Sequence, residues 1–295
     1  MKTKQIIPLA AALLLSILNP QLSTCFAQGG LTPPGAPAPL FKTLDQVEPR
    51  TPISAIPIIL TNSGSYYLTT NLTQTNNAAG ITISASDVTI DLNGFALIGT
   101  NGTATGITRG SSAGTNTCVR NGIVRNWFIG VNMSATVDGL ARLEHLTVSR
   151  NSSDGIQAAD RVVVADCSVF QNGGNGIFAA SAGVVVRDCL VLENGLDGIR
   201  VSGGALVVGN FCNGNATSGS TNAGIRAASN RNRIENNHVT AYENGVVVSG
   251  SGNFIFRNTT SNVGTNYIIG GGNAFGPINS GIGVVTNHPW ANFSQ

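Results

Sequence analysis

Two groups of side chains recur at spacings that could bring them together for chemistry. Asp166 and Asp188 stand 22 residues apart, and His145 precedes Asp166 by 21. If the chain completes one turn in about that length, the two carboxylates stack one turn apart, an arrangement that retaining glycosidases use. The second group is Gln157, Phe178, Arg200 and Arg226, with Asp154 and Asp197 three residues before Gln157 and Arg200. Guanidinium forks, one aromatic ring and carboxylates on a shared face suit a sugar, an acidic sugar included.

Both groups need a periodic scaffold, and the sequence supplies one. Gly followed by Ile or Val occurs at Gly80, Gly106, Gly130, Gly155, Gly176, Gly198, Gly224 and Gly245, with gaps of 21–26 residues. Between these marks runs a second phrase: an apolar run, a polar residue, another apolar run, then Asn. Val162 to Asn172 and Val184 to Asn194 are its best copies. Each unit therefore holds three short β-branched strands separated by Asn, Gly or Asp turns. One unit cannot bury its own apolar face, whereas stacked units share a continuous core. The expected fold is all-β, a parallel β-solenoid of about nine coils of 21–26 residues. The 37 glycines and the lack of a 3.6-residue stripe argue against helix. Hairpin architectures leave the recurring dipeptide unexplained.

Aligning the second phrase gives a turn column of Asn121, His145, Asp166, Asp188, Asn210, Asn236 and Asn258. The next position reads Gly122, Leu146, Cys167, Cys189, Phe211, Asn237 and Thr259. Asn fills most of the first column, so a turn satisfying backbone donors competes with the paired-acid reading. On the first strand, the outward residues after Ile or Val run Asn132, Gln157, Phe178, Arg200, Arg226 and Val247. This places Arg200 beside Arg226 and Phe178 beside Arg200. The bland alternative is a solvated face on which Arg200 forms a weak surface bridge with Asp197.

Lys2 and Lys4, the apolar run Ile6–Leu18 and the small Ala27 read as a secretory signal peptide over residues 1–27. A lipoprotein anchor at Cys25 is the alternative. Residues 28–52 are Pro/Gly-rich and read as a linker or strap, and residues 53–295 as one β-helix domain. Within it, residues 53–72 and about 270–295 hold aromatics suited to covering the two open ends. The protein is expected to be secreted or at the cell surface, with no membrane span. Without the leader, 14 basic residues face 14 acidic ones, which argues against nucleic acid as a partner. The expected partner is a polysaccharide or cell-surface glycan. His145, His238 and His288 lack metal-ligand spacing, and carboxylates on the groove face are too scattered for a calcium bridge. No cofactor or metal is expected, with calcium kept as an alternative that the sequence does not indicate. Cys118, Cys167, Cys189 and Cys212 follow the coil period and read as buried free thiols, with a Cys167–Cys189 bridge as the alternative.

The unit Val-x-Asp-Cys-x-Val-x-x-Asn…Gly-Ile resembles the right-handed parallel β-helix repeat of the pectin-lyase-like superfamily. Leu31–Pro37, Lys42–Ile53 and the ending Pro289-Trp290-Ala291-Asn292-Phe293 resemble a narrower group of exported bacterial β-helix proteins without an established activity. The resemblance implies the fold over nearly all of the chain beyond the leader. It also implies a substrate groove along the first strand of each coil. The chain departs from the superfamily's enzymes, lacking both the polygalacturonase set and the Trp-x-Asp-His motif of pectate lyases. Lys42 is the only lysine after the leader and lies outside the coils, so a lysine base is excluded. Binding without catalysis is the first expectation. The second is a lyase or glycosidase using Asp154, Asp197, Arg200 and Arg226.

Overall fold

A Cβ added at Gly155 would meet the carbonyl oxygen of Gly176 at 2.7 Å and a Val169 methyl at 2.6 Å. At Gly176 the same conflict arises with Gly198 O at 2.7 Å and Val191 at 2.6 Å. The recurring glycine thus marks the place where one coil's backbone lies directly on the next, with a third-strand valine filling the space beneath. This close approach, rather than an unusual φ, accounts for the period seen in the sequence.

The computed structural model describes residues 49–295 except 101, 103, 111–114, 135–138, 215–220 and 282–285. The leader, the Cys25 alternative and most of the Pro/Gly-rich segment lie outside the described residues. Ten parallel strands, from Ile58–Leu60 to Thr265–Ile269, stack into one sheet, the first face. Nine steps separate ten strands, in agreement with about nine coils. The second and third strands of each coil build the other two faces, which merge into a 20-stranded sheet. One full coil runs through Ile156–Ala158, Val162–Ala165 and Ser168–Phe170, and each strand pairs in parallel with its counterpart in the next coil.

Residues at equivalent places form buried columns. Ile156, Ile177, Ile199 and Ile225 stack along the first face. Val148, Val169, Val191, Cys212 and Val239 stack along the third. Alternation of inward and outward residues at a period of two produces this division.

Polar columns close the turns. Asn151, Asn172 and Asn194 form a buried ladder in which each Oδ1 accepts the backbone N–H and the Nδ2–H of the preceding rung, at 2.8–3.1 Å. Asn210, Asn237, Asn258 and Asn292 form a second ladder, and Asn232, Asn253 and Asn273 a third. Each rung supplies hydrogen-bond partners to buried amides that the sheet leaves unpaired at the corner.

The structure corrects the register of the turn column. Asn121, His145, Asp166, Asp188 and Asn236 share a left-handed φ of 53–59°, and the remaining places belong to Gly209 at 70° and Arg257 at 57°. Asn210 and Asn258 fall one position later, in the column of Cys167, Cys189 and Asn237, while Phe211 and Thr259 open the third strands. The sequence alignment slipped because Gly209-Asn210 and Arg257-Asn258 each offer two residues where an Asn could close either position.

At the N-terminal end, Thr51–Ile53 pairs with Gly64–Leu68, which pairs with Val88–Asp91. At the other end, Asn292–Ser294 pairs with Thr259–Ser261 and Ile278–Ser280, extending the third face.

Candidate functional site

The outward column of the first face runs in unbroken register. Asn132 pairs with Gln157, Gln157 with Phe178, Phe178 with Arg200, Arg200 with Arg226, and Arg226 with Val247. Neighbouring members sit one strand spacing apart, about 4.8 Å. The Arg200 guanidinium lies 5.9 Å from the centroid of the Phe178 ring, within cation–π reach.

Asp154 and Asp197 stand at the entry to this face, in the position before the recurring glycine. They are buried with Asn175 between them, so they act from beneath the surface rather than on it. Asp154 Oδ1 accepts the backbone N–H of Asn175 at 2.7 Å and its Nδ2–H at 2.9 Å, while Oδ2 accepts Gln157 Nε2–H at 2.8 Å. Asp197 Oδ1 accepts the Ala223 amide at 2.8 Å, and Oδ2 accepts Arg226 Nε–H at 2.7 Å. Arg200 Nη1 is 3.9 Å from the same oxygen. Arg226 also donates to Thr221 O, so backbone and carboxylate fix its fork from two sides.

A depression of about 400 Å³ opens above this arrangement, lined by Leu196, Asp197, Arg200, Asn222, Arg226 and Ser249. Asn222 closes one side through Nδ2–H to Gly195 O at 3.0 Å. Residues 215–220, the middle of the preceding loop, lie outside the described residues. The site can therefore present two guanidinium groups of different freedom: Arg226 is clamped, and Arg200 leans outward with 43% of its side chain exposed.

The second group is not organised in this way. Asp166, Asp188 and His145 occupy left-handed turn positions and are exposed. Arg187 reaches both acids, at 3.6 Å to Asp166 and 2.8 Å to Asp188, and its guanidinium is held further protonated chiefly by the bond to Asp188. One guanidinium thus bridges the two exposed carboxylates and leaves this surface triad with a net charge of −1.

Residues 130–274 match the protein family described as NosD, periplasmic copper-binding protein. The match covers just under half of the chain, and what it shares with the structure is the parallel β-helix fold. Among solved structures, the β-helix resembles the enzymatically active domain of tailspike protein 2 of bacteriophage CBA120, at 14% identity and a TM-score of 0.56. That overlap covers 75% of this chain and 39% of the tailspike chain. Pectate lyase Pel9A matches at 13% identity and a TM-score of 0.43, over 81% of this chain and 63% of the lyase. The A-module of mannuronan C-5 epimerase AlgE6 from Azotobacter vinelandii matches at 11% identity and a TM-score of 0.38, over 83% and 89%. The β-helix thus spans less than two thirds of the first two structures. No curated protein matches it in sequence.

The four cysteines among the described residues are free thiols. Burial pushes the Cys212 thiol up, and the bond to Cys167 together with burial does the same for Cys189. Among the described residues, no three His, Cys, Asp or Glu side chains converge to hold a metal ion. Asp91 closes a turn by accepting the Asn93 amide at 2.9 Å, and it pairs with Arg50 and Arg120. No helix among the described residues is long and apolar enough to cross a membrane.

One feature of the surface escaped the sequence reading. Phe254, Phe275 and Trp290 are 41–49% exposed and gather near the C-terminal end of the second face. Strand alternation in Phe254-Ile255-Phe256 was the available signal, since it turns both phenylalanines outward around a buried Ile255.

Proposed function

We propose that the protein is exported and binds extracellular or cell-surface polysaccharide along its first face, with Gln157, Phe178, Arg200 and Arg226 as the contact column. The observation carrying this reading is the in-register alignment of an amide, an aromatic ring and two guanidinium groups beside a depression of about 400 Å³. Asp197 pre-orders Arg226, which lowers the conformational cost of binding. Arg200 supplies the adjustable fork. An acidic sugar would meet both donors with its carboxylate.

Export is supported by the periplasmic description of the matching family. The copper in that description finds no fitting donor set among the described residues: His145 is on a surface turn, His238 is stacked on Phe211, and Cys167, Cys189 and Cys212 are sealed in the interior.

Catalysis on the same face, by a lyase or glycosidase, would need a carboxylate free to move a proton or attack. Both oxygens of Asp154 and of Asp197 already accept hydrogen bonds from neighbouring groups. That occupation favours binding. The deciding experiment applies the purified protein to acidic and neutral polysaccharides, with and without calcium. Retention is scored beside ultraviolet absorbance and reducing-end release. Saturable retention without product, lost in Arg200→Ala and Arg226→Ala but kept in Asp166→Asn, is the expected result. Turnover would establish the enzyme instead. Neither binding nor turnover would leave a structural rod.

A further inference from the structure

The outside of the second face is not the polar surface expected of a solvated sheet. Its outward side chains stand in two columns along the solenoid. One runs Arg142, Val163, Val185, Leu206 and Arg233. The other, two residues further along each strand, runs Glu144, Ala165, Arg187, Val208 and Glu235. In the three middle coils Val164, Val186 and Val207 are sealed in the core, while Val163, Val185, Leu206 and Val208 are partly exposed on the outer side. Parallel sheets that are apolar on both sides are ordinarily covered on both. Arg187 is the one charge within these rows. Asp166 and Asp188 at the corner take its guanidinium, and its stem remains apolar surface.

Charged pairs bracket the strip. Arg142 pairs with Glu144 at 3.3 Å on the coil below the apolar rows, and Arg233 with Glu235 at 2.7 Å on the coil above. In both pairs the arginine stands in the first column and the glutamate in the second. Two copies can bring these faces together about either of two two-fold axes. With the axis parallel to the solenoid, each coil meets the same coil of the second copy and the columns exchange. Arg142 then faces Glu144 of the second copy, Arg233 faces its Glu235, Leu206 its Val208, and Val163 its small Ala165. With the axis along the strands, coil order reverses and the columns keep their places, so Arg142 meets Arg233 and Glu144 meets Glu235. Like charges oppose that arrangement, and opposite charges select the first.

We propose that the second face is a self-association surface on which two copies pack side by side, their solenoids parallel and pointing the same way. From Cys118 to Phe254 the strip covers six coil steps, about 29 Å at the spacing of stacked strands. That is the small end of specific interfaces, so the dimer is weak and depends on concentration. The first face stays open in both copies, and the proposal does not rest on the polysaccharide reading.

Sedimentation velocity and light scattering of the purified protein, from about 1 to 300 µM, test this. The expected result is a monomer–dimer equilibrium. Leu206→Glu, an outward position in the middle of the strip, should weaken the dimer at least about tenfold. Leu190→Glu, outward on the third face, should leave it unchanged. Glu144→Arg and Arg142→Glu should each weaken it about tenfold. An equimolar mixture of those two variants should associate again, because every arginine in that row then meets a glutamate of the other copy. Thermal unfolding alongside shows which variants keep the parent's fold.

A monomer at every concentration would overturn the proposal. So would a dimer that Leu206→Glu leaves intact in a folded variant, or one that Leu190→Glu dissolves. Failure of the mixed variants to associate would overturn it as well, because the exchange of columns is what selects the parallel arrangement.

Discussion

Arg226 Nε–H donates to Asp197 Oδ2 at 2.7 Å across one coil step, and Asp197 is all but sealed from solvent. The neighbouring Arg200 stands 3.9 Å from the same oxygen and remains 43% exposed. Two arginines side by side in one column therefore differ in role: one is part of the scaffold and the other is free to adapt.

Stability should expose that difference. Arg226→Ala leaves the Asp197 carboxylate buried without its main cation and should cost about 2–3 kcal/mol. Arg200→Ala removes only a long, exposed contact and should stay within about 0.5 kcal/mol of the parent. Asp197→Asn keeps an oxygen for the Ala223 amide and should fall between them. Urea unfolding of the three variants checks the order, and equal losses for both arginines would refute the division of roles.

A similar comparison applies to the recurring glycine. At Gly176 a methyl group would lie 2.7 Å from Gly198 O and 2.6 Å from the Val191 side chain, both fixed in the stack. Gly176→Ala should therefore cost about 1–3 kcal/mol or more through overpacking. Gly271 has open space around its added Cβ and a φ outside the left-handed region, so Gly271→Ala should be neutral or slightly stabilising. Thermal melts of the two variants provide the contrast. A loss at Gly271 as large as at Gly176 would mean that close approach of the coils does not explain the repeat.

The glycine repeat is also why so much of the fold was legible. Each coil repeats the same steric requirement, so the period, the three strands and the outward column from Asn132 to Val247 could be read from residue spacing. The turn column was read less well. An Asn beside a Gly or Arg can close either of two adjacent positions, and only backbone φ distinguishes them, as Gly209 and Asn210 show. Asp154 and Asp197 could be located beside the face, but their burial depends on the stacking of Asn175 between them. The cluster of Phe254, Phe275 and Trp290 joins residues from two coils and the tail. No local pattern in the sequence connects them.

The asparagine ladders should be rigid in their chemistry. Asn172 Oδ1 accepts two hydrogen bonds from Asn151, and Nδ2 donates to Asn194 Oδ1 and Val148 O. Asn172→Ala would orphan the buried Asn151 amide N–H and Nδ2–H, while Asn194 Oδ1 keeps the backbone N–H of residue 172, for a loss of about 3 kcal/mol. Asn172→Asp preserves the acceptor but faces a second carboxyl oxygen toward Asn194 Oδ1. It should be destabilised at neutral pH and recover as the pH falls far enough to protonate the new acid. Denaturation midpoints at pH 7 and pH 4, normalised to the parent, measure this. No relative recovery at pH 4 would refute the hydrogen-bond polarity assigned to the ladder.

Alkaline conditions should act on the sealed thiols. Burial raises the Cys212 thiol above its ordinary value of 9.0, whereas in the unfolded chain it ionises near that value. Between those limits the unfolded state has fewer bound protons, so stability is complete below pH 9 and falls as the pH rises beyond it. Burial shifts Tyr242 in the same direction and should steepen the fall. One fully linked proton corresponds to about 1.4 kcal/mol per pH unit. Cys212→Val continues the stack between Val191 and Val239 and removes one titrating group, so its stability should decline less steeply above pH 9. Urea midpoints from pH 7 to pH 11 test the sign and the slope. An unchanged slope in Cys212→Val would show that this thiol does not stay protonated in the folded coil.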